Sequence, residues 1–492
     1  MENQPQDLPH LFIVRPAPEI LLKASGTRRR FEQALRTNLK AMLKSCGIAQ
    51  DMDVDEGRIL LRTDKREETI DACQRVFGVA SLAPVDRVVT GDMETFCQTA
   101  KDLYADEISG RTYAVRAKCI GRRLFRSPDL ERQIGAALNP FGTVNLDNPD
   151  ITVRLDIRGD KAMFHARRIE GQCGFPIGIQ GKVATLVSGG FDSVAAAWYM
   201  MRRGAAVEFV FCNLAGGAYE RSVVEIIKTL TDRWGAGMEA RLHVVDLQDV
   251  VADLRAHTDP EFWQVVLKRQ MYRVGCQMAR RTHCDAIVTG EALGQVSSQT
   301  LSNLNSIDPV ADLPVLRPLI GFEKRDIVQL TRVIGTAKLS EKVPEYCALN
   351  RKRPAVKSHI GRLDREEEKM DSALLDHALQ NVRTLYLARL TTADLSRDYV
   401  LVDKIPEGAQ LIDLQDEGDH EQWHAPGARW YNAGSLLGEM NRFDQDTVMV
   451  LYCGQATQSA VLAEHLQQAG YQAYSFRGGT KSLRRLLETP DG

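Results

Sequence analysis

The sequence predicts a multidomain α/β protein, and three observations lead to that fold class. At 492 residues the chain is too long for one hydrophobic core, because domains average about 150 residues. From residue 181 to about residue 340, buried apolar runs alternate with helical stretches, which is the pattern of a doubly wound parallel sheet. Strand and helix patterns also occupy the first 170 residues and the region after Thr391, so we expect about three or four domains.

The central sheet is predicted from four apolar runs, each followed by a helical stretch: 183–187, 207–211, 242–245 and 286–289. In such sheets, ligands bind beyond the carboxyl ends of the strands. A glycine-rich linker at 171–181 precedes this region. A charged helical stretch from Arg362 to about Leu390 is expected to connect it to the last module.

The first 170 residues predict small α/β or α+β modules. Strands are expected at 11–14, 58–61, 112–116 and 151–157, and helices near 27–45, up to 75 and at 129–138. Clustered positive charge lies mostly in this region, at residues 28–30, 116 with 118, 122–123 with 126, and 167–168, with one later cluster at 351–353. Each run alone is typical of a solvated helix face, but their concentration in the first third favours RNA binding.

Composition narrows the class of protein. Hydrophobic residues make up 44% and charged residues 26% of the chain, and the formal net charge of -2 excludes a uniformly basic nucleic-acid binder. No apolar run approaches the roughly 20 residues that cross a bilayer, and the first residues lack the basic and apolar regions of a signal peptide. We therefore expect a cytoplasmic protein without a membrane partner.

The ten cysteines are scattered, and no two form a Cys-x-x-Cys pair. This spacing argues against a zinc ribbon and against a secreted disulfide framework. Most of the cysteines are therefore expected to be small buried hydrophobic residues, and we assign no metal ligands.

The most informative segment joins the first strand of the central sheet to the next helix. It contains two glycines, two serines and an aspartate: Ser188-Gly189-Gly190-Phe191-Asp192-Ser193. Glycines let the backbone approach a ligand closely, and the unpaired N–H groups at a helix start attract anions. Asp192 and the serines are expected to cap the helix, and serine hydroxyls can also donate to phosphate. The segment is neither a Walker A loop nor a dinucleotide motif, and an ordinary strand-to-helix turn is the alternative interpretation.

The hexapeptide resembles the SGGxDS signature of the PP-loop ATP pyrophosphatases, which cleave ATP between the α and β phosphates and leave AMP on a substrate oxygen. Further segments extend the resemblance to the tRNA 4-thiouridine synthetase family: 211–217, 289–300, 317–324 and 344–347. This resemblance covers most of residues 10 to 350. It implies that ATP, with Mg2+, activates a uridine of tRNA for sulfur transfer.

The same resemblance implies four domains: a ferredoxin-like domain at 1–67, a THUMP RNA-binding domain at 68–170, a PP-loop domain with its helical connector at 178–390, and a rhodanese-like domain at 395–492. Segments 19–23, 28–31, 114–118, 148–150 and 171–178 resemble the first two domains, and segments 411–414, 424–428 and 448–459 resemble the last. The first two domains are then expected to grip tRNA through phosphate contacts that recognise its shape.

In the rhodanese-like region, Cys453 opens a loop that leads into a helix. Backbone N–H groups and the helix start favour a thiolate or a persulfide there. Gln458 replaces the arginine that is usual in this loop, and Ala456 stands where glycine is common. The resemblance therefore implies sulfur taken from a protein persulfide, with a cysteine desulfurase as donor, rather than strong activity with thiosulfate.

The resemblance also assigns roles to individual residues. Cys453 is expected to carry the persulfide, and Cys347 to resolve it as a disulfide that a cellular reductant reopens. Asp192 is expected to be essential at the turn. Lys324 is expected to face phosphate, with a plain surface lysine as the alternative. The remaining nucleotide contacts are assigned to Val187, Ser188, Gly189, Gly190, Phe191, Ser193, Phe211, Arg269, Gly290 and Gln299.

The sequence supports three functions. The first is an ATP-dependent, AMP-forming tRNA uracil 4-sulfurtransferase. The second is a PP-loop enzyme that adenylates another base or a small molecule, which the N-terminal and C-terminal modules disfavour. The third is a sulfur carrier that acts mainly through the C-terminal domain and relays sulfur to a small carrier protein for the thiazole of thiamine. The first and third roles can coexist, and whether the chain forms a homodimer stays open.

Overall fold

The computed structural model describes residues 8–55, 57–120, 124–214, 216–341, 343, 354–391, 394, 399–434, 436, 439, 442–454 and 456–488. The chain divides into two compact units, one formed by residues up to 179 with 202–204 and the other by the remaining residues. Among the described residues, no helix has both the length and the apolar character that a membrane span requires.

The first unit contains two five-stranded sheets. Its elements are β1 His10–Pro16, α1 Pro18–Leu21, α2 Ser25–Ser45, β2 Gln50–Asp55, β3 Arg58–Thr63, α3 Arg66–Gln74, β4 Val79–Pro84, β5 Arg87–Thr90, α4 Met93–Ile108, β6 Thr112–Ile120, α5 Ser127–Leu138, β7 Thr143–Val144, β8 Ile151–Arg158, β9 Lys161–His165 and β10 Ile169–Glu170.

The first of these sheets has the strand order β10-β4-β1-β3-β2 and antiparallel pairing. Helix α2 buries Phe31, Leu35 and Leu39, which recur every four residues and so lie on one helix face. The domain boundary expected at residue 67 falls inside this sheet, because β4 pairs with β1.

The second sheet has the order β5-β9-β8-β6-β7, with β6 parallel to β8 and β9 antiparallel to it. Helices α4 and α5 supply the apolar side chains that cover it, and Phe96, Tyr104 and Ile134 are almost fully buried. Each half of the first unit therefore has its own sheet, and Phe164 of β9 belongs to the core of the second one.

The second unit begins with an α/β domain. Its elements are β11 Lys182–Val187, α6 Phe191–Arg202, β12 Ala206–Asn213, α7 Gly217–Trp234, β13 Arg241–Asp246, α8 Gln248–His257, α9 Trp263–Arg281, β14 Ala286–Val288, α10 Leu301–Ile307, β15 Val315–Leu316, α11 Lys324–Ile334, α12 Ala337–Ser340, α13 Ile360–Glu367, α14 Ser372–Gln380 and β16 Arg383–Tyr386.

These strands form one sheet in the order β15-β14-β11-β12-β13-β16. All pairs are parallel except β13 with β16, which is antiparallel. The stretch expected as a helical connector up to about residue 390 is therefore part of this domain, because its last strand completes the sheet edge. The doubly wound parallel sheet itself is confirmed.

The order of the strands places the ligand crevice. From β11 the chain adds β12 and β13 on one side and then returns to add β14 and β15 on the other. The winding reverses between β11 and β14, and open α/β sheets bind ligands at the carboxyl ends of the strands at such a point. The turn at 188–190 follows β11 and the segment 289–300 follows β14, so both candidate segments lie at this crevice.

The C-terminal domain contains a smaller sheet. Its elements are β17 Leu401–Val402, β18 Gln410–Asp413, α15 Glu417–Gln422, β19 Arg429–Trp430, β20 Met449–Tyr452, α16 Thr457–Gln468, β21 Ala473–Phe476 and α17 Gly479–Glu488. The strand order is β17-β21-β20-β18-β19, and every pair is parallel. Strand β20 is central and fully buried, and Cys453 directly follows it.

Candidate active site

The turn after β11 is closed by its own serines. Strand β11 ends at Val187 and α6 begins at Phe191. The Ser193 hydroxyl accepts a hydrogen bond from the Ser188 backbone N–H at 3.1 Å and lies 3.1 Å from the Ser188 carbonyl oxygen, to which it can donate. The Ser188 hydroxyl in turn accepts from the Gly190 N–H at 3.4 Å. These bonds fix the shape of the turn.

Two glycines let the surrounding segments pack directly on this turn. A Cβ atom on Gly189 would come within 2.2 Å of Val343 Cγ1. A Cβ atom on Gly290 would come within 2.6 Å of the Ser193 backbone nitrogen. Since real Cβ atoms do not approach other atoms this closely, both positions require glycine. The segment after β14 therefore lies against the first turn of α6.

Asp192 lies between two donors from other elements. Its carboxylate accepts from Lys324 Nζ at 2.9 and 3.0 Å and from Gln295 Nε2 at 2.9 Å. Lys324 is the first residue of α11, and its ammonium lies 5.5 Å from the centre of the Phe191 ring. Asp192 therefore forms an ion pair rather than the expected helix cap. Lys324 lies beside the turn and has a partner, so it is not an unpartnered surface lysine.

A buried carboxylate anchors the segment after β14. Glu291 accepts from Lys268 Nζ at 2.6 Å, from the Tyr272 hydroxyl at 2.6 Å, from Arg317 Nε at 2.8 Å and from the Thr289 hydroxyl at 3.0 Å. Burial alone would raise the pKa of Glu291, but the adjacent Lys268, Tyr272 and Arg317 lower it to about 2. The side chain is therefore a permanent anion that joins this segment to α9.

Cys453 lies at the carboxyl end of β20 in the C-terminal domain and is 5% exposed. Its Sγ atom lies 3.4 Å from the Ser459 backbone nitrogen, whose N–H donates to it. Ala456 adopts a left-handed conformation with φ of 61°, which explains why glycine suits that position. Gly479 packs on the loop from the other side, since a Cβ there would lie 2.3 Å from the Cys453 carbonyl oxygen.

Known proteins are similar to this chain over most of its length. A tRNA sulfurtransferase of Pyrobaculum aerophilum is 36% identical over 466 residues, covering 93% of this chain and 95% of its own. A tRNA sulfurtransferase of Edwardsiella ictaluri is 34% identical over 478 residues, covering 94% and 98%. The chain belongs to the tRNA sulfurtransferase family.

Four family models match along the chain in the expected order. They are the ThiI ferredoxin-like domain at 11–83, the THUMP domain at 91–165, the thiamine biosynthesis protein (ThiI) at 178–372 and the rhodanese-like domain at 399–485. The crystal structure of a 4-thiouridine synthetase–RNA complex with bound ATP is similar with a TM-score of 0.68 and 28% identity, covering 76% of this chain and 99% of that one. The predicted family and fold class are confirmed.

Arg269, which the sequence analysis assigns to the nucleotide, pairs with two acidic residues of another helix. Arg269 is 3% exposed, and its guanidinium pairs with Asp364 and Glu367 of α13. It therefore packs α9 against α13. Lys268, one residue earlier, pairs with Glu291, which is next to Gly290 in the sequence. The sequence does not predict the different partners of Lys268 and Arg269, because two adjacent basic residues on a helix cannot be assigned to faces without knowing what each face packs against.

Other predicted contacts have structural roles in the same region. Val187 and Phe211 lie opposite each other on β11 and β12, and the Phe211 ring packs on Tyr219 with 5.6 Å between centroids. The Gln299 side-chain oxygen accepts from the Ala292 N–H at 3.3 Å, which closes the segment after β14. Direct contacts of these residues with a nucleotide stay predictions.

Cys347 and the basic cluster at 351–353 lie outside the described residues, as do Arg122 and Arg123. Val343, four residues before Cys347 in the sequence, lies against Gly189 of the turn. In the first unit, Arg28 pairs with Glu32 at 2.7 Å, whereas arginines 29 and 30 are exposed.

Proposed function

We propose that this protein is an ATP-dependent tRNA uracil 4-sulfurtransferase that releases AMP. The observation that carries the proposal is the ion pair of Asp192 with Lys324, which lies beside a glycine-rich helix start at the winding reversal of a parallel sheet. The family relatives named tRNA sulfurtransferase and the ATP-bound 4-thiouridine synthetase support it.

The first step activates the uracil. Its carbonyl oxygen is a poor leaving group, so the oxygen attacks the α phosphorus of ATP, pyrophosphate departs, and AMP remains on the oxygen. The backbone N–H groups at the start of α6 can hold the pyrophosphate oxygens, because the space that a Cβ on Gly190 would take is open apart from the Ser188 hydroxyl at 3.5 Å. Lys324 then stabilises the charge that develops on phosphate. Mg2+ would offset phosphate charge, and the Asp192 carboxylate is the group at the turn suited to hold it.

The second step transfers sulfur. A persulfide on Cys453, formed with a cysteine desulfurase, attacks C4 of the activated uracil through its terminal sulfur, and AMP leaves. Cys347 then attacks the Cys453 sulfur and breaks the sulfur–sulfur bond. The electron pair stays with the sulfur on C4, which gives 4-thiouridine, and a Cys347–Cys453 disulfide forms. A two-electron thiol reductant reopens it.

The first unit provides the tRNA-binding part of this proposal. Arginines 29 and 30 on α2 and the side chains of Arg116 and Lys118 on β6 are exposed, so they are available to phosphates. The match to a THUMP domain and the RNA-bound structure of the related synthetase favour the same role.

The test is direct. Purified protein, ATP, Mg2+, unmodified tRNA, a cysteine desulfurase, cysteine and a thiol reductant should give 4-thiouridine by nucleoside mass spectrometry, with one AMP for each thiolated uridine. Bulk tRNA from cells lacking the gene should contain none. AMP formation on another base or on a small molecule, without 4-thiouridine, would contradict the proposal in favour of the second function.

A second function, sulfur relay for thiamine thiazole synthesis, is favoured by the match to a thiamine biosynthesis family and by the separate parallel sheet that carries Cys453. If it operates, a variant without a working nucleotide site should still support growth without thiamine, whereas Cys453→Ala should not. Equal thiamine requirements of both variants would contradict this relay.

A further inference from the structure

A buried carboxylate of the C-terminal domain lies at its contact with the α/β domain. Glu464, on α16, accepts a hydrogen bond from the Ala218 backbone N–H at 2.6 Å. Its other oxygen accepts from the Tyr399 hydroxyl. The Tyr399 ring in turn lies under the Arg221 guanidinium, 4.4 Å from its centre. Ala218 and Arg221 belong to α7, whereas Glu464 and Tyr399 belong to the C-terminal domain, so the four residues form one interdomain cluster.

Helix α7 has no cap of its own, and the other domain supplies one. The residue before the helix is Gly216, which has φ of 82° and no side chain to bond the first N–H groups. Gly217 leaves room for the carboxylate, since a Cβ there would lie 2.8 Å from Glu464 Oε1. A carboxylate at a helix N-terminus interacts with the positive end of the helix dipole and forms charge-assisted hydrogen bonds. Glu464 is only 8% exposed, so these bonds replace its hydration.

The starting points of α7 and α16 connect this contact to sulfur transfer. Helix α7 starts after β12, the neighbour of β11 in the sheet, so its N-terminus lies at the edge that carries the turn 188–190. Helix α16 starts just after the Cys453 loop, and seven residues separate Thr457 from Glu464, a rise of about 10 Å. The capping contact therefore holds the sulfur-bearing loop near the carboxyl edge of the nucleotide domain.

We propose that Glu464 is a positioning residue that docks the Cys453 domain on the N-terminus of α7 for sulfur delivery, with Tyr399 and Arg221 completing the contact. This inference rests on the proposed sulfurtransferase function. It predicts that loss of the contact slows sulfur delivery to the uracil without affecting the steps that each domain performs alone.

Three variants test the contact in the full-length chain. Glu464→Ala removes the cap, Glu464→Gln keeps its shape without its charge, and Tyr399→Phe removes one donor to it. Glu421→Ala is the matched control, because Glu421 is an exposed carboxylate on α15 of the same domain. The readouts are hydrogen exchange in the peptide containing Ala218, persulfide loading of Cys453 by a desulfurase, first-turnover pyrophosphate release, and steady-state thiolation.

Glu464→Ala should speed exchange at the start of α7 about tenfold or more, the effect expected from losing a charged hydrogen-bond partner. Its kcat for thiolation should fall about tenfold, with the KM for tRNA, persulfide loading and pyrophosphate release within twofold of wild type. Glu464→Gln and Tyr399→Phe should lie between Glu464→Ala and the control.

Unchanged exchange in Glu464→Ala would overturn the contact. Faster exchange with normal thiolation would overturn its positioning role, as would an equal loss of loading, pyrophosphate release and thiolation, which would indicate general misfolding. Absence of thiolation in the wild-type protein would instead overturn the proposed function, and the exchange measurement would still decide whether Glu464 caps α7.

Discussion

Asp192→Asn separates a role in chemistry from a role in folding. The side chains of Asp192 and Lys324 are 20% and 40% exposed, and an ion pair in contact with solvent stabilises a fold by less than about 1 kcal/mol. Its loss should therefore lower the melting temperature by no more than about 4 °C. In the proposed reaction the same loss removes the partner that places Lys324 at the turn before phosphate binds, and it removes the carboxylate that would hold Mg2+. Removing one preorganised electrostatic contact lowers kcat by about 100- to 1000-fold.

The assay follows first-turnover pyrophosphate release and 4-thiouridine formation, with tRNA affinity measured separately. Asp232→Asn is the matched control, because Asp232 pairs with Lys228 at 3.0 Å on α7 in the same domain. We expect both activities of Asp192→Asn to fall at least 100-fold, tRNA affinity to stay within twofold, and the control to behave as wild type. Retention of half the wild-type rate by Asp192→Asn would refute the role assigned to the pair.

Three further predictions concern other parts of the molecule. Replacing arginines 28–30 by glutamine should weaken tRNA binding and flatten its dependence on salt concentration, since fewer counterions are released; an unchanged salt slope would mark this run as a solvated face. Cys453→Ala should accept no sulfur from a desulfurase, whereas Cys347→Ala should load sulfur yet not turn over. A non-reducing peptide map of wild-type enzyme, taken after one turnover without reductant, should show the Cys347–Cys453 disulfide. Full multiple-turnover activity of Cys347→Ala would require another route of sulfur release. Glu291→Gln should lower the melting temperature at pH 7 by about 5 °C or more, because the partly buried Lys268 loses its carboxylate partner and Arg317 keeps only Asp308. The pKa of Glu291 is lowered from 4.5 to about 2, so its stabilisation is complete above pH 4.5 and is lost as the pH falls toward 2, and the difference from wild type should shrink on acidification.

Much of the α/β core could be predicted from the sequence because its strands are buried on both faces. The apolar run at 183–187 corresponds to β11, and the strands on both sides of β11 run parallel to it. The sequence does not predict strand β16, since its residues Arg383–Tyr386 are exposed or partly exposed and form no apolar run. The place of β16 in the sheet depends on its pairing with β13. The last residue of β13, Asp246, precedes Arg383 by 137 residues, and no local pattern encodes such a pairing.

The sequence predicts the parts of the site that lie in one contiguous motif. It does not predict the contacts between elements that are distant in the chain. The hexapeptide at 188–193 could be interpreted directly, since strand, turn and helix are contiguous. Gln295 and Lys268 could not, because each meets its partner only after the chain has crossed to the other side of the sheet. The same applies to Glu464, whose carboxylate is 246 residues from the amide that it binds. The sequence alone does not distinguish an exposed glutamate from a buried glutamate that caps a helix of another domain.

The carboxylates of Glu291 and Asp192 differ in the free energy needed to break their contacts, and that difference suits them to different roles. Glu291 is 4% exposed and bonded to a lysine, an arginine, a tyrosine and a threonine, and breaking such a buried pair costs about 3–5 kcal/mol. Asp192 is bonded to one half-exposed lysine and one amide, which can exchange partners at a cost below about 1 kcal/mol. A phosphate entering the turn can therefore take Lys324 from Asp192 without disturbing the segment that Glu291 holds. Adjacent loops thus provide a rigid support and an exchangeable ion pair, and only the ion pair has to change partners in the proposed adenylation.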